Sequence, residues 1–334
     1  KLGVEPNAVT FGTLINGLCI KGKIHQAVRL FDQMVETGCK PNVITYTSIV
    51  HGLCKVGNTN AAIKLLKVMD DRGVEPNKVT YSAIIDSLCK DKLITDAFNL
   101  FSEMKNKGIL PDCATYNSLI QGACNLGQWK EATRLRSEMV TMNIIPDVFT
   151  FKILLDAICE EGLVSDLSQM DGANKVFDLM ISKGLLPDVI SYNILINGYC
   201  KCRRIDEAMR FFNEMSQIGL IPNTVTYTTM IGGLYLGGRD VAAKELFKEM
   251  LHLNNLDVVT YSTMLDGLCN HRNLDEALVL FQAMKDDELV SIIVCYNVLI
   301  EGVCKSGRIE DAREMFSALL VKGLHPTVVT YTIM

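Results

Sequence analysis

The chain has 334 residues, 33 of them Lys or Arg against 38 Asp or Glu, for a formal net charge of −5. Its 49% hydrophobic and 21% charged residues suffice for an extended core and exclude a disordered chain, and no apolar run approaches the ~18 residues of a membrane span. The mild acidity excludes a partner held by bulk charge, such as duplex DNA or an anionic membrane, and 12 cysteines are too sparse for a disulfide scaffold.

Self-similarity organises the rest. All eight prolines fall on one grid: Pro6, Pro41, Pro76, Pro111 and Pro146 at steps of 35, then Pro187 after 41, Pro222 after 35 and Pro326 after 104, with Leu256 and Ser291 at the two vacant points. An alanine column (Ala27, Ala62, Ala97, Ala132, Ala173, Ala208, Ala243, Ala277, Ala312) keeps the same register. So does a methionine column (Met34, Met69, Met104, Met139, Met180, Met215, Met250, Met284, with Leu319 in the last copy). An aromatic column runs from Phe11 through Tyr46, Tyr81, Tyr116, Phe151, Tyr192, Tyr227, Tyr261 and Tyr296 to Tyr331. Nine copies result: 8–42, 43–77, 78–112, 113–147, 148–188 with a six-residue insertion, 189–223, 224–257 with a one-residue deletion, 258–292 and 293–327. Residues 1–7 end a preceding repeat and 328–334 open a truncated one, so residues 1–334 form a single solenoid with no remainder for a catalytic domain.

Each copy predicts two helices. Tyr46, Ile49, Val50, Leu53 and Cys54 make one apolar stripe, which Gly57-Asn58 ends. Ala27, Leu30, Phe31 and Met34 make the second, closed by Gly38, and Pro41-Asn42 lead into the next helix with Asn as its N-terminal cap. A lone helix pair cannot bury both stripes, so neighbours must stack. The expected fold is all-α: a right-handed α-solenoid of stacked helix-turn-helix 35-residue repeats. The insertion in the fifth copy is expected at Leu167–Gly172, as a longer turn between its two helices.

Numbering each copy from the residue after Asn or Asp puts the aromatic at position 4. Position 2 is then held by Val9, Ile44, Val79, Ala114, Phe149, Ile190, Val225, Val259 and Val294, apolar residues that the core stripe does not need and that suit packing on a base face. Position 5 is small and polar at Thr47, Ser82, Asn117, Asn193, Thr228, Ser262 and Asn297, and departs from this at Gly12 and Lys152. Such residues near a helix start also serve as ordinary capping neighbours, but a whole column of them suits a recognition surface.

The pattern Pro-[Asn/Asp]-x-Val-Thr-Tyr followed by Leu-Ile-x-Gly-Leu-Cys-Lys, as in "PNVITYTSIVHGLCKVGN" and "PDVISYNILINGYCKCRR", resembles the pentatricopeptide repeat along the full chain. The Gly-Leu-Cys-Lys flavour looks most like the P-type, restorer-of-fertility-like branch. The tetratricopeptide repeat, with period 34 and a Trp/Leu-Gly/Tyr signature, fits less well: the chain has one tryptophan, Trp129.

The resemblance implies sequence-specific binding of single-stranded RNA, one base per repeat, in processing, stability or translation of an organellar transcript. It further implies a mitochondrial location, directed by a transit peptide outside these residues, and a recruited nuclease or other processing protein. The alternative is a protein-interaction scaffold with a peptide in its groove.

In the resembled family, positions 5 and 35 choose the base together. Guanine and uracil offer a ring N–H beside a carbonyl, which an Asp accepts from. Adenine and cytosine offer a bare ring nitrogen beside an amino group, which suits Asn. Carried over, Thr47 with Asn77 implies adenine, Ser82 with Asp112 guanine and Asn117 with Asp147 uracil. Asn193 with Asn223 implies a pyrimidine, Thr228 with Asp257 guanine and Asn297 with Thr327 a pyrimidine. Gly12 with Asn42, Lys152 with Asp188 and Ser262 with Ile292 depart from the pattern, and Lys152 is expected to pair with Asp188 rather than read a base. With the N-terminus toward the RNA 5′ end, the expected site is 5′-(A)-A-G-U-N-Y-G-(A)-Y-3′. Lys55, Lys90, Lys201 and Lys305 recur at position 13, either as candidate phosphate contacts or as cations at a helix C-terminus. So few contacts imply a shallow salt dependence.

The position-12 cysteines, Cys19, Cys54, Cys89, Cys124, Cys159, Cys200, Cys269 and Cys304, read as small core residues too far apart for disulfides. Cys200-x-Cys202 lacks the four ligands of a zinc site, and the five histidines show no metalloprotease or deaminase spacing. No metal, no cofactor and no enzymatic activity are expected.

Overall fold

The computed structural model describes residues 6–161, 167–253, 256–286, 293–321 and 323–333. Every regular element among them is a helix. The chain divides into two compact units, Lys1–Ile153 and Leu154–Met334.

In the first unit the leading (A) helices of each repeat are α1 (Ala8–Ile20), α3 (Val43–Lys55), α5 (Lys78–Lys90) and α7 (Cys113–Asn125). The second (B) helices are α2 (Ile24–Glu36), α4 (Thr59–Asp71), α6 (Ile94–Asn106) and α8 (Trp129–Thr141). Helix α9 (Val148–Glu161) carries the boundary between the units. The second unit continues with B helices α10 (Leu167–Ser182), α12 (Ile205–Gln217), α14 (Asp240–His252), α16 (Leu274–Asp286) and α18 (Ile309–Val321). Its further A helices are α11 (Val189–Lys201), α13 (Thr224–Leu236), α15 (Val258–Asn270), α17 (Ile293–Lys305) and α19 (Val328–Ile333).

Inside each unit the A helices stack on one another, α1 on α3 on α5 on α7 and α11 on α13 on α15 on α17 on α19. Within a unit B helices pack on their own A helix and on the next, as α2 does on α1 and α3 and α12 on α11 and α13. Both units are therefore all-α helical-repeat solenoids. The alanine column sits where A and B helices cross and is 0–1% exposed in all nine copies; the methionine column and Leu319 are equally dry. A phenylalanine on the B helix meets the position-4 tyrosine of the next A helix edge-on, Phe31 on Tyr46 at 5.1 Å and Phe101 on Tyr116 at 5.3 Å, Phe212 on Tyr227 at 5.4 Å and Phe281 on Tyr296 at 4.9 Å. The hydroxyl of Tyr81 donates back to Glu103 on its own B helix at 2.9 Å and that of Tyr192 to Glu214 at 3.0 Å, whereas the Tyr296 hydroxyl is buried without a hydrogen-bond partner.

The A layer is drawn together by a glycine–cysteine contact between neighbours. A Cβ built on Gly233 would lie 2.1 Å from the Cys200 sulfur, and one on Gly302 2.5 Å from that of Cys269. Any larger residue there overpacks the seam, at a cost of about 1–3 kcal/mol. Helices end in the left-handed region, filled by Gly57 (φ 74°) in one A-to-B turn and by Lys92 (φ 62°) in the equivalent turn of the next repeat.

One expectation is corrected. Leu167–Gly172 is not a turn: these residues form the start of α10, which is 16 residues long where the other B helices have 13. The extra residues extend a helix because Leu-Ser-Gln-Met-Asp-Gly holds no proline and a single Gly costs a helix only about 1 kcal/mol. None of the described cysteines forms a disulfide, and Cys54, Cys269 and Cys304 are half-buried rather than fully enclosed.

Candidate nucleic-acid interface

Among the described residues, the last residue of a repeat is the N-cap of the next A helix. Asn42, Asn77, Asp112, Asp188, Asn223 and Asp257 each accept, through one side-chain oxygen, the backbone N–H three residues on, and Asp147 does the same for Thr150 at 2.8 Å. This satisfies one of the donors that every helix start leaves open. It also spends only one of the two polar atoms on each Asn or Asp, leaving an amide N–H₂ or a second carboxylate oxygen at the helix mouth.

The hydroxyl of position 3, a residue to which the sequence pattern gave no role, lies within hydrogen-bond distance of the same cap oxygen. Thr80 Oγ1 lies 3.0 Å from Asn77 Oδ1, Thr115 2.9 Å from Asp112, Thr150 2.9 Å from Asp147, Thr226 3.0 Å from Asn223 and Thr260 2.8 Å from Asp257. Each of these threonines is buried. Each also reaches the position-5 side chain of the preceding repeat. Thr47 and Thr80 share a hydroxyl–hydroxyl bond of 2.8 Å, Ser82 and Thr115 one of 2.6 Å, and Thr228 and Thr260 one of 2.8 Å. Thr150 and Thr226 donate to the amide oxygens of Asn117 and Asn193, both at 2.7 Å. The two residues paired from the sequence are thus joined in five repeats by a third, forming a rung: position 5, the next repeat's position 3, and the cap.

In the two asparagine rungs the pair also touches directly. Asn117 Nδ2 donates to Asp147 Oδ1 at 3.2 Å and Asn193 Nδ2 to Asn223 Oδ1 at 3.4 Å. Burial opposes the charge on Asp147, but the Thr150 N–H and hydroxyl and the Asn117 amide outweigh it and hold the carboxyl below the usual range. Burial likewise opposes the charge on Asp112, and the Thr115 bonds and Lys78 outweigh it. Lys78 lies 3.2 Å from Asp112 Oδ2, the oxygen its cap leaves open.

The remaining pairs differ. Gly12 contributes no side chain, though a Cβ there would lie 3.4 Å from Thr45 Oγ1, whose hydroxyl bonds the cap Asn42 at 3.0 Å. Lys152 and Asp188 fall in different units. Ser262 turns its hydroxyl to the carbonyl of Val259 at 2.9 Å, Cys295 stands at position 3 of the next repeat, and Ile292 lies outside the described residues. In the ninth copy Thr330 pairs with the cap Thr327, hydroxyl to hydroxyl at 3.2 Å, and the buried Asn297 Oδ1 has no hydrogen-bond partner.

Position 2 is exposed throughout: Val9, Ile44, Val79, Phe149, Ile190, Val225, Val259 and Val294 lie between 47% and 72% exposed, and Ala114 is exposed too. In the first unit Ala114 and Phe149, from consecutive repeats, meet Asn117 and Asp147 around a groove of about 420 Å³, within the size range of small-ligand sites. At its rim Lys90 is paired with Asp86 at 2.6 Å. Lys305 is paired likewise with Glu301 at 2.7 Å, Lys55 is exposed and Lys201 half-buried. A phosphate contact at Lys90 or Lys305 therefore competes with an acidic neighbour one turn back. Among the described residues no group of three or more His, Cys, Asp or Glu is placed to hold a metal ion, and no helix is long and apolar enough to cross a membrane.

A model described as the PPR repeat family matches residues 6–55, 42–90, 79–125, 111–160, 164–201, 187–235 and 292–334, and further PPR repeat models match 225–255 and 255–285. The chain belongs to the PPR repeat family. Its 35-residue copies are P-type PPR repeats. Its fold is similar to that of the pentatricopeptide repeat protein PPR10 from maize, at 24% identity and a TM-score of 0.58 over 99% of this chain and 56% of that one. It is similar also to PPR10 in complex with an 18-nucleotide psaJ RNA element, at 23% identity and 0.56 over 98% and 57%. The chain thus spans little more than half the length of those PPR10 chains. No curated protein gave a significant match.

Proposed function

We propose that this PPR protein binds single-stranded RNA sequence-specifically, one base per repeat, and is not itself an enzyme. The observation that carries this is the groove whose lining joins apolar surface of Ala114 and Phe149 to the Asn117–Asp147 pair. Apolar surface and hydrogen-bonding groups thus share one groove, the combination that suits an unstacked base. Position 2 supplies the walls, and positions 5 and 35 supply the groups that choose the base: Thr47 with Asn77 for adenine, Ser82 with Asp112 and Thr228 with Asp257 for guanine, Asn117 with Asp147 for uracil. The solenoid acts by covering or exposing a segment of a mitochondrial transcript, as restorer-of-fertility-like members of the family do, with any cleavage supplied by a recruited nuclease. The RNA complex of PPR10 supports the choice of ligand.

Fluorescence anisotropy with an oligonucleotide carrying 5′-AAGU-3′ followed by N-Y-G-A-Y, against one of the same composition scrambled, tests this. The expected result is binding tighter by about tenfold or more, a difference of about 1.4 kcal/mol. Equal affinity for the two would sink the sequence-specific reading.

A further inference from the structure

Five buried threonines, Thr80, Thr115, Thr150, Thr226 and Thr260, have a role that the capping of a helix does not account for. A cap needs only the bond from the threonine N–H to the Asn or Asp side chain. The second bond runs backward across the seam between repeats, 32 or 33 residues along the chain, to the position-5 side chain. We propose that position 3 is a specificity-determining positioning residue: its hydroxyl orients the two base-selecting side chains of the preceding repeat. This rests on the RNA-binding function proposed above and adds a third residue to each repeat's selection of a base.

The chemistry differs with the position-5 residue. A threonine hydroxyl has one proton and two lone pairs. Where position 5 is Asn, the threonine donates to the amide oxygen, at 2.7 Å from both Asn117 and Asn193. Given to the amide oxygen rather than to the cap oxygen 2.9–3.0 Å away, the threonine's single proton leaves Nδ2 as the end turned toward the cap. An N–H donor at that point matches a pyrimidine carbonyl; Asn193 is half-buried there, while Asn117 is 4% exposed and also donates to Cys113 Sγ at 3.5 Å. Where position 5 is Thr or Ser, two hydroxyls meet at 2.6–2.8 Å. Either can take the proton, so the position-5 oxygen remains free to donate or accept toward the base.

The chain carries its own control. At the junction of the eighth and ninth copies position 3 is Cys295 and the cap column holds Ile292; there the Ser262 hydroxyl turns away to its own helix at Val259. Without the threonine hydroxyl the position-5 group is not held at the seam.

The decisive substitution is Thr150→Val, which keeps the shape and the backbone N–H that Asp147 caps while removing the hydroxyl. Anisotropy is measured on four oligonucleotides that differ only at the nucleotide facing the fourth copy. The expected result is that the preference for uracil over the other bases falls by about tenfold, the worth of one buried polar group losing its partner. Discrimination at the flanking nucleotides stays unchanged, and Thr150→Ser restores the preference. A uniform loss of affinity for all four bases, or an unchanged uracil preference, overturns the proposal while leaving sequence-specific binding intact. If the unsubstituted chain itself fails to discriminate the predicted from the scrambled RNA, the proposed function fails and takes this inference with it. Thr226→Val makes the same test in the second unit, at the nucleotide read by Asn193 and Asn223, should Thr150→Val not fold.

Discussion

The fourth and ninth copies both set an asparagine at position 5 against a threonine at position 3 of the next repeat, yet they are wired differently. In the fourth copy the cap is Asp147: Thr150 donates to Asn117 at 2.7 Å and Asn117 donates to Asp147 at 3.2 Å. In the ninth copy the cap is Thr327: Thr330 turns to it, and Asn297 Oδ1 is left buried without a hydrogen-bond partner. A carboxylate takes the helix N–H and the amide N–H₂ together and has no proton of its own to give, whereas a threonine hydroxyl is both weaker as an acceptor and a competing donor. The cap thus governs not only its own contact with a base but also the posture of its partner.

The comparison can be broken from the position-5 end. Asn117→Thr, with Asp147 kept, converts the fourth copy to the Thr228–Thr260–Asp257 arrangement of the seventh. The preferred base at one nucleotide is expected to change from uracil to guanine, by about tenfold in each direction; a gel-shift series with each base at that nucleotide reads it, and an unmoved preference counts against the assignment. The comparison is sharpened from the other side by Thr327→Asp. That change gives the ninth copy the cap of the fourth, recruits Asn297, and should raise its uracil selectivity by several-fold, measured by competition anisotropy. Gly12→Ser builds a rung where one is absent, since its new side chain points at Thr45 Oγ1. It should stabilise α1 by about 0.5 kcal/mol on helix propensity alone, seen in denaturant unfolding, and introduce a base preference at the first copy.

The smallest effect is in acid. The folded-state carboxyl of Asp147 lies below its ordinary value of 3.8, so its charge stabilises the fold above the unfolded value and that contribution is lost as pH falls through the folded one. The stability gap between the unsubstituted chain and Asp147→Asn should be constant from about pH 7 to 5 and close below about pH 4, followed by urea unfolding. Thr327 carries no such charge, so Thr327→Asp should acquire the same acid-sensitive increment.

Much of this is legible in the residues. The alanine and methionine columns are dry because they recur where two helices cross, and a fixed period shared by small and flexible apolar side chains is what stacked helix pairs require. The exposed column at position 2 is visible as apolar residues off the core stripe. The threonines at position 3 are not. Val-Thr-Tyr looks like the start of any helix, and a hydroxyl one residue before the buried aromatic gives no sign that it reaches a different repeat. The extension at Leu167–Gly172 is hidden for a related reason: a repeat register shows that residues are added, but whether they lengthen a turn or a helix depends on local backbone preference, and Gly172 points to the wrong one. The glycine at position 10 is plain as part of a motif, while its reason, the sulfur of the neighbouring repeat, emerges only from packing.

That sulfur has a consequence for experiment. Burial pushes the Cys89 and Cys200 thiols up to about 12 and that of Cys54 to about 11, and only the thiolate attacks an alkylating reagent. At neutral pH Cys89 and Cys200 are held as thiols while Gly122 and Gly233 are pressed against their sulfurs. Labelling there registers the moment a single seam parts, so the chain comes with a built-in gauge of where along its length the stack first comes undone.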